Sequence, residues 1–157
     1  MVGARLQTLP YRSPEVILGM AYGRPIDMWS FGCILAELYT GHRLFPGSNE
    51  NEHDLLARVI DVLGPPAKSF VAKSPKKSLF FNRNLHLKQS VGLDGKRRRY
   101  SRKTLAQAIN CEDEIFVDFV GACLRWNPIL RLTPEMALLH PFIGQLSGST
   151  MAYITNQ

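Results

Sequence analysis

An apolar segment at residues 26–40 constrains the fold of this chain more than any other feature. Its large apolar side chains are Ile26, Met28, Trp29, Phe31, Cys33, Ile34, Leu35, Leu38 and Tyr39. On a helix they cover nearly the whole circumference, and a helix that is apolar all round is normally the buried centre of a domain. Asp27 suits the positive N-terminal end of such a helix, and Gly41 suits the position just past its C-terminus. The segment therefore predicts a central buried helix, and its interruption by Asp27, Ser30 and Glu37 argues against a transmembrane span.

Two further segments have helical periodicity. Residues 50–63 carry a single apolar stripe, which predicts an amphipathic helix near the surface with Ser48 or Asn49 as its cap. Residues 112–125 also place apolar side chains at helical spacing, and Pro128 follows the end of that pattern. Both segments have the length of ordinary globular helices.

A short last helix completes the predicted body. Thr133 is its expected cap, with Pro134 at its first position. We expect a mainly α fold with helices around the central segment. The body is predicted to form one domain over residues 1–143, followed by a polar tail at 144–157.

The positive charge of the chain is concentrated in one insert. The formal net charge is +6, from 19 Lys and Arg against 13 Asp and Glu. Residues 65–103 contain twelve basic side chains and one acid, Asp94, whereas the rest of the chain contains seven basic and twelve acidic side chains. The basic insert 65–110 has weak periodicity, so we expect a long irregular segment. Its expected anchors to the body are Phe70, Leu79, Phe80, Phe81 and Leu85.

Common metal and phosphate motifs are absent from the sequence. It contains no G-x-G-x-x-G or G-x-x-x-x-G-K-[ST] phosphate cradle, no H-E-x-x-H and no paired Cys/His set. Cys33, Cys111 and Cys123 form no C-x-x-C, and the first five residues have no apolar signal region. We therefore expect no metal site, no membrane partner and a reducing location in the cytoplasm, the nucleus or both.

Five linked strings carry the most specific information. They are Thr8-Leu9-Pro10-Tyr11-Arg12-Ser13-Pro14-Glu15, Asp27-Met28-Trp29-Ser30-Phe31-Gly32-Cys33, Trp126-Asn127-Pro128, Arg131 and Thr133-Pro134. In this order and at these spacings they resemble the C-terminal lobe of a eukaryotic protein kinase, since Y-R-[AS]-P-E is the CMGC-group form of the A-P-E motif. With Leu44-Phe45-Pro46-Gly47 and Val62-Leu63-Gly64-Pro65-Pro66, they are most similar to the dual-specificity tyrosine-regulated kinases, the DYRK family.

This resemblance implies a fold, an activity and cofactors. The fold would be an incomplete protein-kinase C-terminal lobe, with a partial kinase domain over residues 1–143. The activity would be transfer of the ATP γ-phosphate to Ser or Thr of protein substrates, and to Tyr in a dual-specificity enzyme. ATP and Mg²⁺ are implied for the full-length family member, held by residues that are not in this chain.

The resemblance also implies a substrate-binding loop. Thr8 matches the hydroxyl residue that touches the catalytic Asp and the phosphate-handling Lys of active kinases. The loop that receives the substrate residue after the phosphoacceptor, where the group commonly favours proline, is matched by Leu9, Pro10, Tyr11 and Arg12. Arg12 is the additional arginine of the group. The alternative for Thr8 is ordinary polar filler in a loop.

Four residues match structural anchors of the family. Glu15 and Arg131 match the buried ion pair that ties the activation segment to the helical base. An arginine fork gives such a pair a physical reason, because a carboxylate buried alone would be costly. Asp27 matches the carboxylate that holds the catalytic loop, and Trp29 matches a packing position on the central helix. The alternatives are that Asp27 only complements the helix dipole and that Arg131 is an exposed base.

Three triplets imitate kinase motifs without their chemistry. Ser30-Phe31-Gly32 imitates D-F-G, but its hydroxyl is a poor substitute for a Mg²⁺-binding carboxylate. His42-Arg43-Leu44 imitates H-R-D, but leucine cannot accept a proton. Val71-Ala72-Lys73 imitates the end of V-A-I-K, but it lies in the basic insert rather than in a strand. We interpret all three as coincidences.

The sequence departs from the DYRK pattern at several positions. Gly3 and Arg5 stand where the family carries Tyr-x-Tyr, so the autophosphorylated tyrosines are absent. Leu9 and Pro10 replace the usual arginine and aromatic residue, and Asn127 replaces the usual acid before a proline. These changes affect the expected activation and substrate preference more than the expected fold.

The match begins inside the activation segment, without the ATP-binding lobe, the catalytic loop and D-F-G. We therefore expect no kinase activity from this chain alone. The apolar helix 26–40 would lack cover on one face, which predicts a marginally stable or aggregation-prone chain. The alternative function is a non-catalytic, kinase-like interaction module that binds protein partners.

A run of basic residues is the strongest local charge feature of the insert. Its members are Lys96, Arg97, Arg98, Arg99, Arg102 and Lys103. Three interpretations remain open for this patch: a solvated surface loop, a nuclear-import signal, and a docking patch for an acidic protein or nucleic acid. Tyr100 is the single aromatic residue in the run, which argues against a dedicated nucleic-acid module.

Overall fold

A computed structural model of the chain describes residues 6–46, 51–88 and 103–144. Its helices are α1 (Pro14–Ile17), α2 (Pro25–Thr40), α3 (Glu52–Leu63), α4 (Lys68–Ala72), α5 (Lys77–Phe80), α6 (Leu105–Ile109), α7 (Glu114–Cys123) and α8 (Pro134–Leu138). Two 3₁₀ turns, Leu9–Tyr11 and Pro128–Leu130, precede α1 and α8 respectively. Within these ranges β pairing is limited to one isolated bridge between Phe81 and Leu87. The mainly α fold predicted from the sequence is confirmed.

The central helix α2 begins one residue before its predicted start and ends where the sequence predicts. Pro25 occupies its first turn, and Gly41 ends it at a φ of +73°, donating its N–H to the Glu37 carbonyl at 2.8 Å. A left-handed residue at this position is a common helix terminator, and glycine adopts it without strain. The residues that α2 buries are Met28, Trp29, Gly32, Cys33 and Ala36.

One apolar face of α2 is uncovered in the described residues, in agreement with the prediction that this helix lacks cover on one side. The exposed apolar side chains of α2 are Phe31, Ile34, Leu38 and Tyr39, and Leu38 is 75% exposed. Phe31, Ile34 and Leu38 are three to four residues apart, so they form a stripe along one side of the helix. The described parts of the chain therefore cover only one side of their most apolar helix.

A close crossing of α2 and α7 forms the centre of the body. A Cβ atom added at Gly32 would lie 2.7 Å from the Cβ of Cys123 and 3.1 Å from Leu124 Cδ2. Only glycine permits this approach of the two helices. Helix α7 is capped by Asp113, whose carboxylate accepts the N–H groups of Ile115 and Phe116. The crossing fixes the helical base on which the loop at residues 6–13 rests.

Helix α3 differs from its prediction in its cap. Asn51, and not Ser48 or Asn49, caps it, because the Asn51 side chain accepts the N–H groups of His53 and Asp54. Its apolar stripe is buried in the main core through Leu55, Leu56 and Val59. The helix is therefore held against the body, and it also contacts the 3₁₀ turn Leu9–Tyr11.

The basic insert is more ordered at its two ends than predicted. Helices α4, α5 and α6 lie within it, and Ser74 donates its hydroxyl to the Leu18 carbonyl at 2.8 Å. Of the expected anchors, Phe70, Phe80 and Phe81 are buried and Leu85 is partly buried. Leu79 is exposed, so its prediction as an anchor was wrong. The insert connects two packed helices, so both of its ends have to lie against the body. The hydrophobic periodicity of the sequence does not show this.

Two predictions concern residues that lie outside the described ranges. Lys96, Arg97, Arg98, Arg99 and Arg102 of the basic patch lie there, whereas Lys103 is described and exposed. Most of the predicted tail at 144–157 lies there as well. The domain limit at residue 143 stays a prediction.

Candidate substrate-binding loop

The loop at residues 8–12 lies against the starts of α2 and α3. Thr8 is exposed and precedes the 3₁₀ turn Leu9–Tyr11. Pro10 is buried, while Leu9 and Tyr11 are partly buried and pack against the main core. The loop is thus seated by its apolar residues, and Thr8 is left facing outward.

Gln7 holds this loop in place through its side chain. Its Nε2 donates to the Ile26 carbonyl at 2.9 Å and to Ser30 Oγ at 2.7 Å. Its Oε1 accepts the Ser13 N–H at 3.0 Å. Ser30 Oγ in turn donates to the Tyr11 carbonyl at 2.9 Å. One amide side chain therefore joins both ends of the loop to the first turns of α2.

The Gln7 backbone has an uncommon conformation that Arg12 stabilises. Gln7 has a φ of +63°, in the left-handed region that non-glycine residues rarely adopt. Its carbonyl accepts a hydrogen bond from Arg12 Nη2 at 3.0 Å. Arg12 also donates from Nε to the Leu6 carbonyl at 3.0 Å and from Nη1 to Glu52 Oε1 at 2.8 Å. The Arg12 guanidinium therefore joins three acceptors, two from the chain just before the loop and one from α3.

Tyr11 connects the loop to the last turn of α2. Its hydroxyl donates a hydrogen bond to Glu37 Oε2. That bond, with burial and the charge of the Glu37 carboxylate, raises the pKa of Tyr11 above its ordinary value. Arg43 lies close enough to oppose part of the shift. The phenol is therefore kept protonated and acts as a donor.

A buried ion pair joins α1 to the segment that precedes α8. Arg131 donates from Nη1 to Glu15 Oε1 at 2.7 Å and from Nη2 to Glu15 Oε2 at 2.8 Å. The Arg131 side chain is 0% exposed and the Glu15 side chain is 1% exposed. Arg131 also donates to the carbonyls of Pro25 and Arg125, at 2.7 and 3.0 Å. Every polar edge of this buried cation is satisfied, as burial of a charge requires.

Trp29 packs directly against this pair. The Arg131 guanidinium lies 5.3 Å from the centre of the Trp29 ring, within the range of a cation–π contact. Phe45 stacks with Trp29 at 6.1 Å between ring centres. Asp27, two residues earlier on α2, is exposed. Glu15, Trp29 and Arg131 thus come together, and Asp27 lies apart from them at the surface.

Sequence reasoning missed two residues of this region. Gln7 and Glu52 carry contacts that hold the loop, yet neither belongs to a motif that names its role. Ser30 was considered only as an imitation of a metal ligand, and its hydroxyl instead bonds within the loop. The signal that could have indicated this role is that Ser30 is a polar residue within an otherwise apolar helix.

Within 6–46, 51–88 and 103–144, no group of three or more His, Cys, Asp and Glu side chains could hold a metal ion. The D-F-G imitation lies inside α2, and Val71-Ala72-Lys73 lies at the end of α4. No catalytic step is therefore assigned to the part of the chain that the structure describes.

No helix in the described part of the chain is long and apolar enough to cross a membrane.

Comparison with known proteins assigns the chain to a family. A family model described as protein kinase domain matches residues 3–143. The DYRK-family kinase pom1 of Schizosaccharomyces pombe is 46% identical over 138 residues, which cover 88% of this chain and 12% of that protein. Dual specificity tyrosine-phosphorylation-regulated kinase 2 of Drosophila melanogaster is 46% identical over 144 residues, covering 92% of this chain and 20% of that protein. Kinase 4 of the same name in Homo sapiens is 46% identical over 140 residues, covering 89% and 26% respectively.

Because this family model covers residues 3–143, the chain belongs to the protein kinase family, and its mainly helical fold is consistent with a fragment of a kinase C-terminal lobe. Its similarity to the kinases above makes it DYRK-like within that family, as the sequence motifs predicted. The chain spans between 12% and 26% of the length of these three relatives.

Proposed function

We propose that this chain is the substrate-loop part of a protein kinase that transfers the ATP γ-phosphate to Ser or Thr of proteins, with proline after the acceptor. Tyr is a further acceptor if the protein shares the dual specificity named in its relatives. Family membership supports the activity, and the loop geometry supports the proline preference. Substrate binding is proposed for Thr8, Leu9, Pro10, Tyr11 and Arg12.

The observation that carries the proline preference is the hydrogen bond from Arg12 Nη2 to the Gln7 carbonyl at 3.0 Å. Gln7 has a φ of +63°, and in this conformation its carbonyl oxygen accepts the hydrogen bond from Arg12. The carbonyl is therefore already occupied by a partner from the protein. A substrate amide N–H at this place would then lack an acceptor, which costs about 1–3 kcal/mol. Proline has no amide N–H and avoids that cost.

Peptide phosphorylation tests the proposal. The full-length native protein with Mg²⁺ and ATP is expected to phosphorylate a Ser-Pro peptide roughly 10-fold or more faster, in kcat/KM, than the matched Ser-Ala peptide, since about 1.4 kcal/mol corresponds to a factor of ten. The 157-residue chain is expected to transfer no phosphate under the same conditions. Absence of transfer by the full-length protein to any peptide would contradict the proposed activity.

The alternative is a non-catalytic interaction module that binds protein partners. One observation favours it: the contacts that hold the loop at residues 8–12 come from Gln7, Arg12 and Ser30, and none of them involves a catalytic group. Binding of the Ser-Pro peptide by the full-length protein, measured by fluorescence anisotropy, without phosphate transfer in the assay above would support this alternative.

We also propose the cytoplasm, the nucleus or both as the location, with the basic patch Lys96, Arg97, Arg98, Arg99, Arg102 and Lys103 as an import or docking patch. Charge clusters of this type are read by import factors or by acidic partners. A fluorescent fusion of the full-length protein with Arg97, Arg98 and Arg99 changed to Ala is expected to lose nuclear signal. An unchanged distribution would contradict the import role.

A further inference from the structure

Among the partners of Arg12, Glu52 is the one that comes from outside the loop. Leu6 and Gln7 are close along the chain, and both offer neutral carbonyls. Glu52 offers a carboxylate from α3, forty residues away, at 2.8 Å. The bond to Glu52 joins two opposite full charges, so it adds their Coulomb attraction to the hydrogen bond, which the bonds to the two neutral carbonyls do not. Glu52 is therefore the contact best able to fix the direction of the guanidinium.

A planar guanidinium cannot adjust its bonds independently. Its five N–H groups form a rigid fork, so the Nη1 bond to Glu52 and the Nη2 bond to the Gln7 carbonyl share one plane. The Arg12 side chain is 12% exposed, so water can compete for any edge that loses its partner. If Glu52 loses its charge, the fork is expected to rotate and release the Gln7 carbonyl.

Helix α3 places Glu52 for this contact. Glu52 is the first residue of α3, where the helix dipole favours a carboxylate. The Asn51 cap fixes the start of the helix, and Leu55, Leu56 and Val59 bury its inner face. The carboxylate is therefore delivered by a rigid element of the body and not by the loop itself.

We propose that Glu52 is a positioning residue that sets the preference for proline after the phosphoacceptor, acting through Arg12. It holds the guanidinium on the Gln7 carbonyl and so keeps that carbonyl away from the substrate amide. This inference rests on the proposed function, because it names a specificity determinant of the same loop. Glu52 itself is not expected to touch the substrate.

Peptide binding to the full-length native protein tests this role without any need for catalysis. The probes are two fluorescein-labelled peptides that differ only in Pro or Ala after the serine, and fluorescence anisotropy gives their affinities. The wild type is expected to bind the Pro peptide roughly 10-fold more tightly, by the same amide cost as above. Glu52→Gln is expected to reduce this ratio to about 3-fold or less, because the released Gln7 carbonyl becomes available to the Ala peptide.

Glu114→Gln is the matched control, because Glu114 is the exposed first residue of α7 and lies in another helix. This variant is expected to keep the wild-type ratio. Glu52→Asp retains the charge but withdraws it by one methylene, and it is also expected to lower the ratio. If the Glu52→Gln variant does not unfold cooperatively, the ratio of Pro to Ala peptide affinities in Glu52→Asp decides the test.

The outcomes separate this inference from the proposed function. A wild-type ratio in both Glu52 variants would overturn the inference, as would an equal loss of affinity for both peptides. A wild type that does not discriminate would overturn it together with the proline preference. Phosphate transfer is measured separately with Mg²⁺ and ATP. Failure of transfer, with the peptide ratio still dependent on Glu52, would overturn the kinase activity alone and support the positioning role.

Discussion

Two arginines hold neighbouring parts of one segment by different means. Arg131 is 0% exposed and binds both carboxylate oxygens of Glu15. Arg12 is 12% exposed and binds one oxygen of Glu52, which is itself 29% exposed. Both guanidiniums also bond to backbone carbonyls. We therefore expect the buried pair to contribute to stability, and we propose that the more exposed pair positions the loop.

The unfolding free energy that is lost when an ion-pair partner is removed differs between these two environments. Removing one partner of a buried pair costs about 3–5 kcal/mol, because an unpaired charge stays in the interior. A pair near the surface is worth roughly 0–1 kcal/mol, because water and salt replace the lost contact. Substitutions at the two arginines should therefore separate folding from loop geometry.

Arg131→Ala is expected to have the largest effect. The change leaves the Glu15 carboxylate buried and removes the cation above Trp29, so we expect a loss of about 3–5 kcal/mol, enough to abolish folding. Urea unfolding of the chain, followed by tryptophan fluorescence, measures it. Arg125→Ala is the control, since Arg125 is exposed and contributes its carbonyl to the pair. A shift of under about 1 kcal/mol in Arg131→Ala would refute the assignment of this pair to stability.

Gly32→Ala tests how rigid the base around Arg131 is. The added Cβ would lie 2.7 Å from the Cβ of Cys123, and neither atom belongs to the flexible end of a side chain. We expect a loss of about 1–3 kcal/mol from the separation of α2 and α7. Gly121→Ala is the matched control on α7, where the added Cβ meets Leu105 Cδ2 at an ordinary 3.5 Å. Equal thermal stability of the two variants would contradict a tightly packed crossing.

Arg12→Lys is expected to have a small effect on stability. A lysine keeps the charge but loses the fork, so we expect a change of about 1 kcal/mol or less at low salt. At about 1 M salt, where the screening length falls to roughly 3 Å, the difference should nearly vanish. Arg131→Lys is the comparison. Its loss of unfolding free energy should persist at high salt, because the buried pair is shielded from water and ions. Urea titrations at two salt concentrations measure both, and a salt-independent loss at Arg12 would contradict the contrast.

Leu38→Lys addresses the uncovered face of α2 and should change stability least. Leu38 is 75% exposed, so we expect a change in unfolding free energy within about 0.5 kcal/mol. The aggregated fraction of the 157-residue chain should nevertheless fall, because the substitution breaks an apolar stripe. Light scattering measures this, with Leu56→Lys as the buried counterpart that should unfold the chain. Unchanged aggregation in Leu38→Lys would mean that another surface drives association.

Much of the fold followed from the sequence because its signals are local. The limits of α2, the cap and first proline of α8 and the helical spacing of α7 depend on residues a few positions apart. The encounter of Glu15 with Arg131 could be anticipated from linked motifs. Periodicity could not tell which side of α2 would be covered, because that depends on what packs against it.

The contacts that shape the loop depend on tertiary structure and were beyond sequence reasoning. A positive φ at Gln7 has no residue signature, since glycine or asparagine is the usual occupant of that region. The role of Glu52 depends on where α3 begins, and the cap at Asn51 moves that start away from the predicted Ser48 or Asn49. The apolar pattern predicts which residues are buried, and the polar contacts at the surface have to be observed.

The bond between Glu15 and Arg131 also orders events during synthesis of the protein. The two residues are 116 positions apart, so the segment made first is fastened by a residue made much later. At roughly 5–20 residues per second, a ribosome needs about 6–23 s to add that length. During this interval the Glu15 carboxylate has no partner, and closing so long a loop is entropically slow. The nascent chain therefore has the loop at residues 8–12 complete in sequence before the residue that anchors Glu15 has been made.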